Sequence, residues 1–265
     1  DQILFCDHHM SHAASAFFAS PFDEAAVLTI DGVGEWTTTT MGHATANWNG
    51  ASENKIDLFW EQRFPHSIGL LYSAFTAFLG FRVNNGEYKV MGMSPYGEPN
   101  YVDQVKKLIT INRDGSFELD MDYFSYHHSA THSFNGKFTS LFGEPRVHSD
   151  DFFTAKSDPS RAGETEALRR NQYYADVARS IQDVTEEAML VMANALYERT
   201  QSKRLVMAGG VALNSVANFK VLRDTPFEEV YIQPAAGDDG GALGAALWVY
   251  HVVLGQPRKL VMTHA

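Results

Sequence analysis

The order of apolar and polar positions along the chain predicts strands and helices in alternation. Residues 25–30 (AAVLTI) make an almost wholly apolar run, which is typical of a buried strand, and residues 67–81 place their apolar side chains on one side of a helix. The same reasoning predicts strands at 3–6, 25–30, 36–45, 56–64, 204–208 and 229–233, and helices at 8–20, 67–81, 171–200, 211–222 and 242–253. Strands that alternate with helices indicate an α/β fold.

Two parts of the chain lack such periodicity. Residues 84–99 are polar and rich in glycine, which predicts a connector without regular structure. Residues 110–165 contain several Asp-Gly, Asn-Gly and Asp-Pro turn signals, and we expect short strands and a surface loop there.

Composition and charge narrow the class of protein. The 265 residues are 45% hydrophobic, enough for one large domain or two small ones, and the formal charge is −11. A chain this acidic is a poor candidate for binding nucleic acid, whose backbone favours a basic surface. The single cysteine, Cys6, excludes a disulfide within the chain and favours a cytoplasmic location, and its apolar neighbours predict that it is buried. We find no run of about 18 apolar residues that would predict a membrane-spanning helix.

Two histidines near the start of the chain carry the first candidate chemistry. His8 and His12 stand four residues apart, so a helix that begins there projects both imidazoles from one face. Two neutral imidazoles on one face form half of a metal site, although such a spacing by itself is more often structural. A second pair with the same spacing, His128 and His132, falls in the irregular segment and is interpreted as part of a solvated loop.

Carboxylates at the ends of predicted strands could complete a metal site. Asp31 follows the strand 25–30 and begins Asp-Gly-Val-Gly, where a metal ligand and a hairpin-turn residue are equally good interpretations. Of Asp238 and Asp239, one is expected to cap the following helix, and the other could face a metal. A set of two histidines and one carboxylate suits Fe(II), with Zn and Mn as rivals.

A diglycine, Gly209–Gly210, joins a predicted strand to a predicted helix. Backbone amides at such a helix start can bind a phosphate, but the P-loop pattern and the full dinucleotide fingerprint are both absent. A nucleotide loop and a tight packing turn are therefore about equally supported.

Five segments carry most of these residues. They are residues 8–17 (HHMSHAASAF), 29–35 (TIDGVGE), 86–97 (GEYKVMGMSPYG), 208–214 (AGGVALN) and 237–246 (GDDGGALGAA). In this order they resemble the NodU/CmcH O-carbamoyltransferases, and the resemblance covers nearly the whole chain. It implies an α/β fold of the actin-like ATPase (ASKHA) superfamily, of the Kae1-like type, with mixed sheets flanked by helices.

The resemblance also implies a reaction and its site residues. In such enzymes carbamoyl phosphate and ATP give carbamoyl-adenylate, and the carbamoyl group then passes to a hydroxyl of an acceptor such as a sugar, an aminoglycoside or another natural product. Lys89 is interpreted either as a partner of phosphate or as part of a surface salt bridge. The implied ligands of a metal, usually Fe(II), are His8, His12, Asp31 and Asp238, and the implied nucleotide contacts are Gly209, Gly210, Val211 and Asn214.

The resemblance implies a segment before the histidine motif and a YrdC-like domain after the last residue, so we expect this chain to be a fragment of a longer protein. We therefore expect residues 1–22 to end a first Kae1-like subdomain and residues 23–265 to form the second, with an irregular insertion near 110–165. Because the YrdC-like domain is an implied partner, the chain by itself is expected not to complete carbamoyl transfer. Related alternatives are threonylcarbamoyl transfer to tRNA and a nucleotide-binding domain without independent activity.

Overall fold

The main sheet of the structure is mixed and has five strands, three from the first quarter of the chain and two from its last quarter. A computed structural model describes residues 3–48, 50, 53–259 and 261–262. The strands are β1 (Glu24–Gly34), β2 (Thr37–Thr45), β3 (Lys55–Arg63), β6 (Arg204–Ala208) and β7 (Glu229–Ile232), in the spatial order β3-β2-β1-β6-β7. Strands β1, β2 and β3 form an antiparallel meander, whereas β6 and β7 run parallel to β1. The predicted α/β fold with a mixed sheet flanked by helices is confirmed.

The remaining elements follow the predicted alternation for most of the chain. A two-stranded sheet pairs β4 (Ile109–Ile111) with β5 (Phe117–Leu119). The α-helices are α1 (His8–Ala19), α2 (Ile68–Phe78), α3 (Glu87–Met93), α4 (Val102–Val105), α5 (Gly136–Phe142), α6 (Thr165–Thr200), α7 (Ser215–Asp224) and α8 (Gly241–Trp248). No helix among the described residues is both long and apolar enough to cross a membrane.

Internal contacts divide the chain into two compact units. The first comprises Asp1–Gly69, Asn112–Ser116 and Met189–Ala265, and the second comprises Leu70–Ile111 and Phe117–Ala188. The boundary predicted at residue 22 concerns the subdomains of a longer protein, so it stays a prediction.

The first unit has a core built from alanine and phenylalanine side chains on α1 and from apolar side chains on the sheet. Helix α1 packs against β1, β6 and α8. Ala13 and Phe17 on α1 and Val27 and Val206 on the strands are fully buried in one cluster. The alanine-rich face of α1 lets α8 come very close, since a Cβ on Gly244 would lie 1.8 Å from the Ser11 carbonyl oxygen.

The second unit has its own aromatic core. The ring of Phe138 lies within 4.8–5.6 Å of the rings of Phe75, Phe78, Phe134 and Phe142, measured between centroids. Most of these pairs meet edge to face or at a tilt, the arrangement that aromatic quadrupoles favour. This unit therefore has a core that does not depend on the five-stranded sheet.

The first residues differ from their prediction. Residues 3–6 are not a strand, and Ile3 and Phe5 are 78% and 89% exposed. Apolar composition alone cannot make a strand where no described strand lies alongside to share its hydrogen bonds. Cys6 is half-buried rather than buried, and burial, aided by the charges of Asp7 and Glu35, raises its thiol pKa to about 11.

Residues 84–99 also differ, because the predicted connector contains helix α3. The Glu87 carboxylate accepts hydrogen bonds from the backbone N–H groups of Asn84 and Gly86 and from the Ser73 hydroxyl. These bonds hold the turn that begins the helix, although the segment's glycine content argued against one.

Three other helices begin or end at different residues from those predicted. Helix α6 begins at Thr165 rather than at 171. The helix predicted at 211–222 is a 3₁₀ turn, Gly210–Leu213, followed by α7, whose N-cap is Asn214. The helix predicted at 242–253 ends as α8 at Trp248 and continues as a π-helix, Val249–Val253.

Candidate metal centre

Four side chains from three elements converge at the carboxyl end of β1. His8 and His12 come from α1, Asp31 from β1, and Asp238 from the loop before α8, and one ligating atom from each lies within 4.8 Å of the others. The two Nε2 atoms are 3.0 Å apart. Asp31 Oδ2 lies 3.0 Å from His8 Nε2 and 3.3 Å from His12 Nε2. Asp238 Oδ1 lies 3.4 Å and 3.6 Å from the same two nitrogens.

The topology explains why these residues meet. Parallel strands β1 and β6 end at the same edge of the sheet, where α/β folds place their sites. Helix α1 begins above that edge, and its i, i+4 histidines project from one face toward it. Asp31 is not a hairpin-turn residue, because β1 continues to Gly34 and the turn falls at Glu35. It lies instead where the β1–β2 register shifts, between Ile30 and Gly34.

The predicted helix cap at Asp238 or Asp239 is not formed. Neither it nor Asp239 caps α8, since the residue before that helix is Gly240 and no side chain of the described residues caps it. Asp238 is 77% exposed at its side chain, whereas Asp31 is 11% and His12 is 1% exposed. The cluster is therefore closed by the protein around His12 and open on the side of Asp238.

Glycines make room for the histidine and carboxylate side chains. A Cβ on Gly34 would lie 2.0 Å from His8 Cδ2, and one on Gly210 would lie 3.0 Å from Asp31 Oδ1. Gly69 likewise lies against the Asp31 backbone, where a Cβ would lie 2.5 Å from the carbonyl oxygen. Gly34, in the Asp-Gly-Val-Gly segment, thus admits the imidazole of His8.

Hydrogen bonds within the cluster decide the protonation of Asp31 and His8. Burial alone raises the Asp31 pKa, but hydrogen bonds from His12, His8 and the Gly210 N–H outweigh it and hold this pKa well below its usual range. The Gly210 N–H donates to Asp31 Oδ1 at 2.9 Å. The hydrogen bond to Asp31 raises the His8 pKa, against an opposing effect of burial. Asp31 is thus a carboxylate at neutral pH.

This donor set fits a divalent cation. Two imidazole nitrogens and two carboxylate oxygens are ligands that Fe(II), Zn and Mn all accept. The Nε2 atoms of His8 and His12 lie 3.0 Å apart, so they cannot both carry a proton that points at the other. A single imidazole proton offsets only part of the negative charge of Asp31 and Asp238. The buried Nδ1 of His12 has no hydrogen-bond partner among the described residues, so this ring is oriented from its Nε2 side.

A third histidine was missed by the sequence reasoning. His9 Nδ1 lies 2.6 Å from Thr29 Oγ1, and His9 Nε2 lies 2.9 Å from the Thr37 carbonyl oxygen. Burial lowers the His9 pKa to about 4. The only sequence signal for His9 was its place in the His-His-Met-Ser-His segment. The four-residue spacing in that segment belongs to His8 and His12, so it gave no role to His9.

The comparisons with known proteins bear on this cluster. The family model for the carbamoyltransferase N-terminus matches residues 1–247. The chain belongs to the carbamoyltransferase N-terminal family. All four side chains of the candidate metal centre lie within the matched residues.

The relatives of this carbamoyltransferase N-terminal domain are longer proteins. It is 50% identical over 259 residues to the uncharacterized protein sll1178 of Synechocystis, matching 97% of this chain and 38% of the relative. It is 31% identical over 251 residues to nodulation protein NolNO of Sinorhizobium fredii, matching 93% of this chain and 31% of that protein. A crystal structure of full-length HypF in its phosphate- and nucleotide-bound form aligns at a TM-score of 0.43 and 15% identity, over 92% of this chain and 42% of HypF.

The diglycine loop of the domain shows the contacts of a packing turn. Gly209 has a φ of +94°, and a Cβ there would lie 2.2 Å from the Ile30 carbonyl oxygen. Its N–H donates to the Ala236 carbonyl, and the Gly210 N–H donates to Asp31. The Asn214 side chain caps α7 by accepting from the Ala217 N–H. Since these donors are used within the protein, nucleotide binding at this loop stays a prediction.

Lys89 lies on α3, in the second unit. Its ammonium is 5.8 Å from the ring centroids of both Phe81 and Tyr88. The ion pairs of the described residues include none with Lys89, and its interpretation as part of a surface salt bridge stays a prediction. Its role toward phosphate stays a prediction.

The second histidine pair forms no comparable cluster. His128 Nδ1 faces His127 Nε2 at 3.0 Å on an exposed loop, and His132 Nδ1 contacts the Thr131 hydroxyl at 2.9 Å. Among the described residues, only the cluster of His8 brings three or more metal-ligating side chains together. The solvated-loop interpretation agrees with this exposure.

Proposed function

We propose that the chain forms the metal-dependent transfer centre of an O-carbamoyltransferase. In this proposal a carbamoyl group passes from carbamoyl-adenylate, made from carbamoyl phosphate and ATP, to a hydroxyl of a sugar, an aminoglycoside or another natural product. The observation that carries it is the convergence of two imidazoles and two carboxylates at the carboxyl edge of the sheet. Membership of the carbamoyltransferase family supports the class of reaction.

His8, His12, Asp31 and Asp238 would hold the metal, with Fe(II) the first candidate and Zn or Mn the alternatives. A bound divalent metal acts as a Lewis acid toward a carbonyl or phosphoryl oxygen. The protein contributes orientation: the Gly210 N–H fixes one oxygen of Asp31, so its other oxygen faces the two imidazoles. The open side at Asp238 is where a small substrate would enter, because Asp238 is the most exposed of the four side chains.

Nucleotide contacts are proposed at the loop Gly209–Asn214, and Lys89 remains a proposed partner of phosphate. Gly209 and Gly210 would shape this loop, since their own amides are already bonded. Val211 lies within this loop and is half-buried. A YrdC-like domain is the proposed partner for making the adenylate, and a cytoplasmic location stays a prediction.

The metal part of the proposal is tested by elemental analysis of the purified chain. We expect one bound transition metal per chain, lost in the double variant His8→Ala/His12→Ala. The matched control is His128→Ala/His132→Ala, which removes an equally spaced pair from the exposed loop and should leave metal content unchanged. Equal metal content in all three proteins would refute the proposal.

The nucleotide part is tested by calorimetric titration of AMP into the metal-loaded chain. Val211→Asp places a negative charge beside the proposed phosphate and should abolish AMP binding while leaving the metal in place. Val216→Asp, on the exposed face of α7, is the control and should bind AMP normally. Unchanged AMP binding by Val211→Asp would exclude this loop as the nucleotide site.

A further inference from the structure

The histidine between the two proposed ligands has a hydrogen-bond arrangement of its own. His9 is 4% exposed and bridges two strands, with Thr29 on β1 at one nitrogen and Thr37 on β2 at the other. The Thr29 hydroxyl in turn lies 2.6 Å from the Thr40 hydroxyl. The three side chains therefore form a buried chain of hydrogen bonds under the first turn of α1.

The direction of these bonds follows from what each atom can do. A carbonyl oxygen only accepts, so His9 Nε2 must carry the proton that it donates to Thr37. With that proton on Nε2, the neutral ring has a lone pair on Nδ1, which accepts. The Thr29 hydroxyl donates to Nδ1, and the Thr40 hydroxyl donates to Thr29. One tautomer and one ring orientation satisfy all of these groups.

This arrangement ties the first turn of α1 to two strands, in addition to the contact of His8 with Asp31 on β1. Asp7, the N-cap residue, makes no side-chain capping bond, and the first turn holds no acidic residue. Ser11 and Ser15 donate to carbonyl oxygens of their own helix. Among the described residues, His9 is thus the one side chain of this turn that bonds to both β1 and β2.

We infer that His9 is a positioning residue, which fixes the depth and rotation of α1 so that His8 and His12 face Asp31. This inference rests on the proposed metal centre. The His9 ring lies 5.6 Å from the His8 ring and 5.9 Å from the His12 ring, between centroids, so it is wedged beside both. Side-chain atoms lie about 5–6 Å from a helix axis, so a rotation of about 10° displaces them by about 1 Å. Metal–ligand distances tolerate only about 0.2 Å.

The test measures metal affinity by chelator competition, with thermal unfolding measured in parallel. Loss of a residue that orients metal ligands costs roughly 10–100-fold in affinity. We expect His9→Leu to weaken metal binding by at least about 10-fold, and Thr29→Val, which is nearly isosteric, to weaken it by a smaller factor. His9→Gln retains an amide donor for the Thr37 carbonyl and should recover part of the affinity.

The matched control is Thr38→Val. Thr38 is also fully buried on β2, but its hydroxyl donates to the His66 and Gln62 carbonyls rather than toward α1. It should lower stability as Thr29→Val does and leave metal affinity unchanged. Equal affinities in wild type, His9→Leu and Thr29→Val would overturn the inference. Absence of metal from the wild type would instead overturn the proposed centre itself.

Discussion

Gly34 tests whether His8 must lie where the structure places it. In Gly34→Ala, the new Cβ would lie 2.0 Å from His8 Cδ2 and 2.3 Å from His8 Cγ. Ordinary contact begins near 3.4 Å. Gly34 lies near the end of β1 and does not have a positive φ, so its backbone accepts alanine. The imidazole, rather than the strand, must therefore yield.

The size of the effect follows from that clash. The His8 ring has to move by about 1.4 Å, which is far beyond the 0.2 Å that a metal–ligand bond tolerates. We expect metal affinity to fall at least about 10–100-fold, or about 1.4–2.7 kcal/mol, as when a residue that supports a ligand is lost. The assay is competition for the metal against a chelator of known affinity.

The control is Gly92→Ala, because a Cβ on Gly92 meets nothing within 4 Å. Gly92 lies in helix α3, so alanine there should stabilise the protein slightly and leave metal affinity unchanged. A folded Gly34→Ala protein that binds metal as tightly as the wild type would show that His8 is not a ligand in its present position.

Three further changes test the packing inside each unit and the protonation of one buried histidine. Gly244→Ala should separate α1 from α8 at Ser11 and lower the free energy of unfolding by about 1–3 kcal/mol in urea titrations. Phe138→Ala should remove the centre of the aromatic core and cost about 3–5 kcal/mol by the same measurement. Burial lowers the His251 pKa, so the unfolded chain binds this proton first and stability falls as pH drops below about 6.5. His251→Asn should show a shallower fall between pH 7.5 and pH 5.5 in denaturation curves; an unchanged slope would contradict this assignment.

The four side chains of the candidate metal centre could be named from the sequence. A spacing of four residues on a helix and an aspartate after a strand are local patterns, and both survive folding because each element forms as predicted. Neither pattern could show that the imidazoles and the Asp31 carboxylate meet at 3.0 Å and 3.3 Å. That juxtaposition needs α1 to pack on β1, and the Gly210 N–H that holds Asp31 follows β6, whose residues pair with β1 from 179 positions away.

The predictions failed where particular hydrogen bonds decided the structure rather than local composition. The glycine-rich segment at 84–99 forms α3 because Glu87 binds the preceding backbone amides and Ser73, which no window of composition reveals. The apolar residues 3–6 form no strand because no described partner strand pairs with them. In the diglycine loop, the amides expected to face a ligand bond instead to Asp31 and to the Ala236 carbonyl.

The small residues around the cluster link its chemistry to its packing. Gly34 admits the His8 ring, Gly210 holds the Asp31 carboxylate, and Gly244 lets α8 approach α1. Each of these glycines lies in a segment whose resemblance first suggested a carbamoyltransferase. Their role in the structure is steric, since each removes a Cβ from the path of a ligand or of the helix that carries it. Two histidines and two carboxylates therefore converge at this sheet edge because the backbone beside them carries no side chain at these three positions.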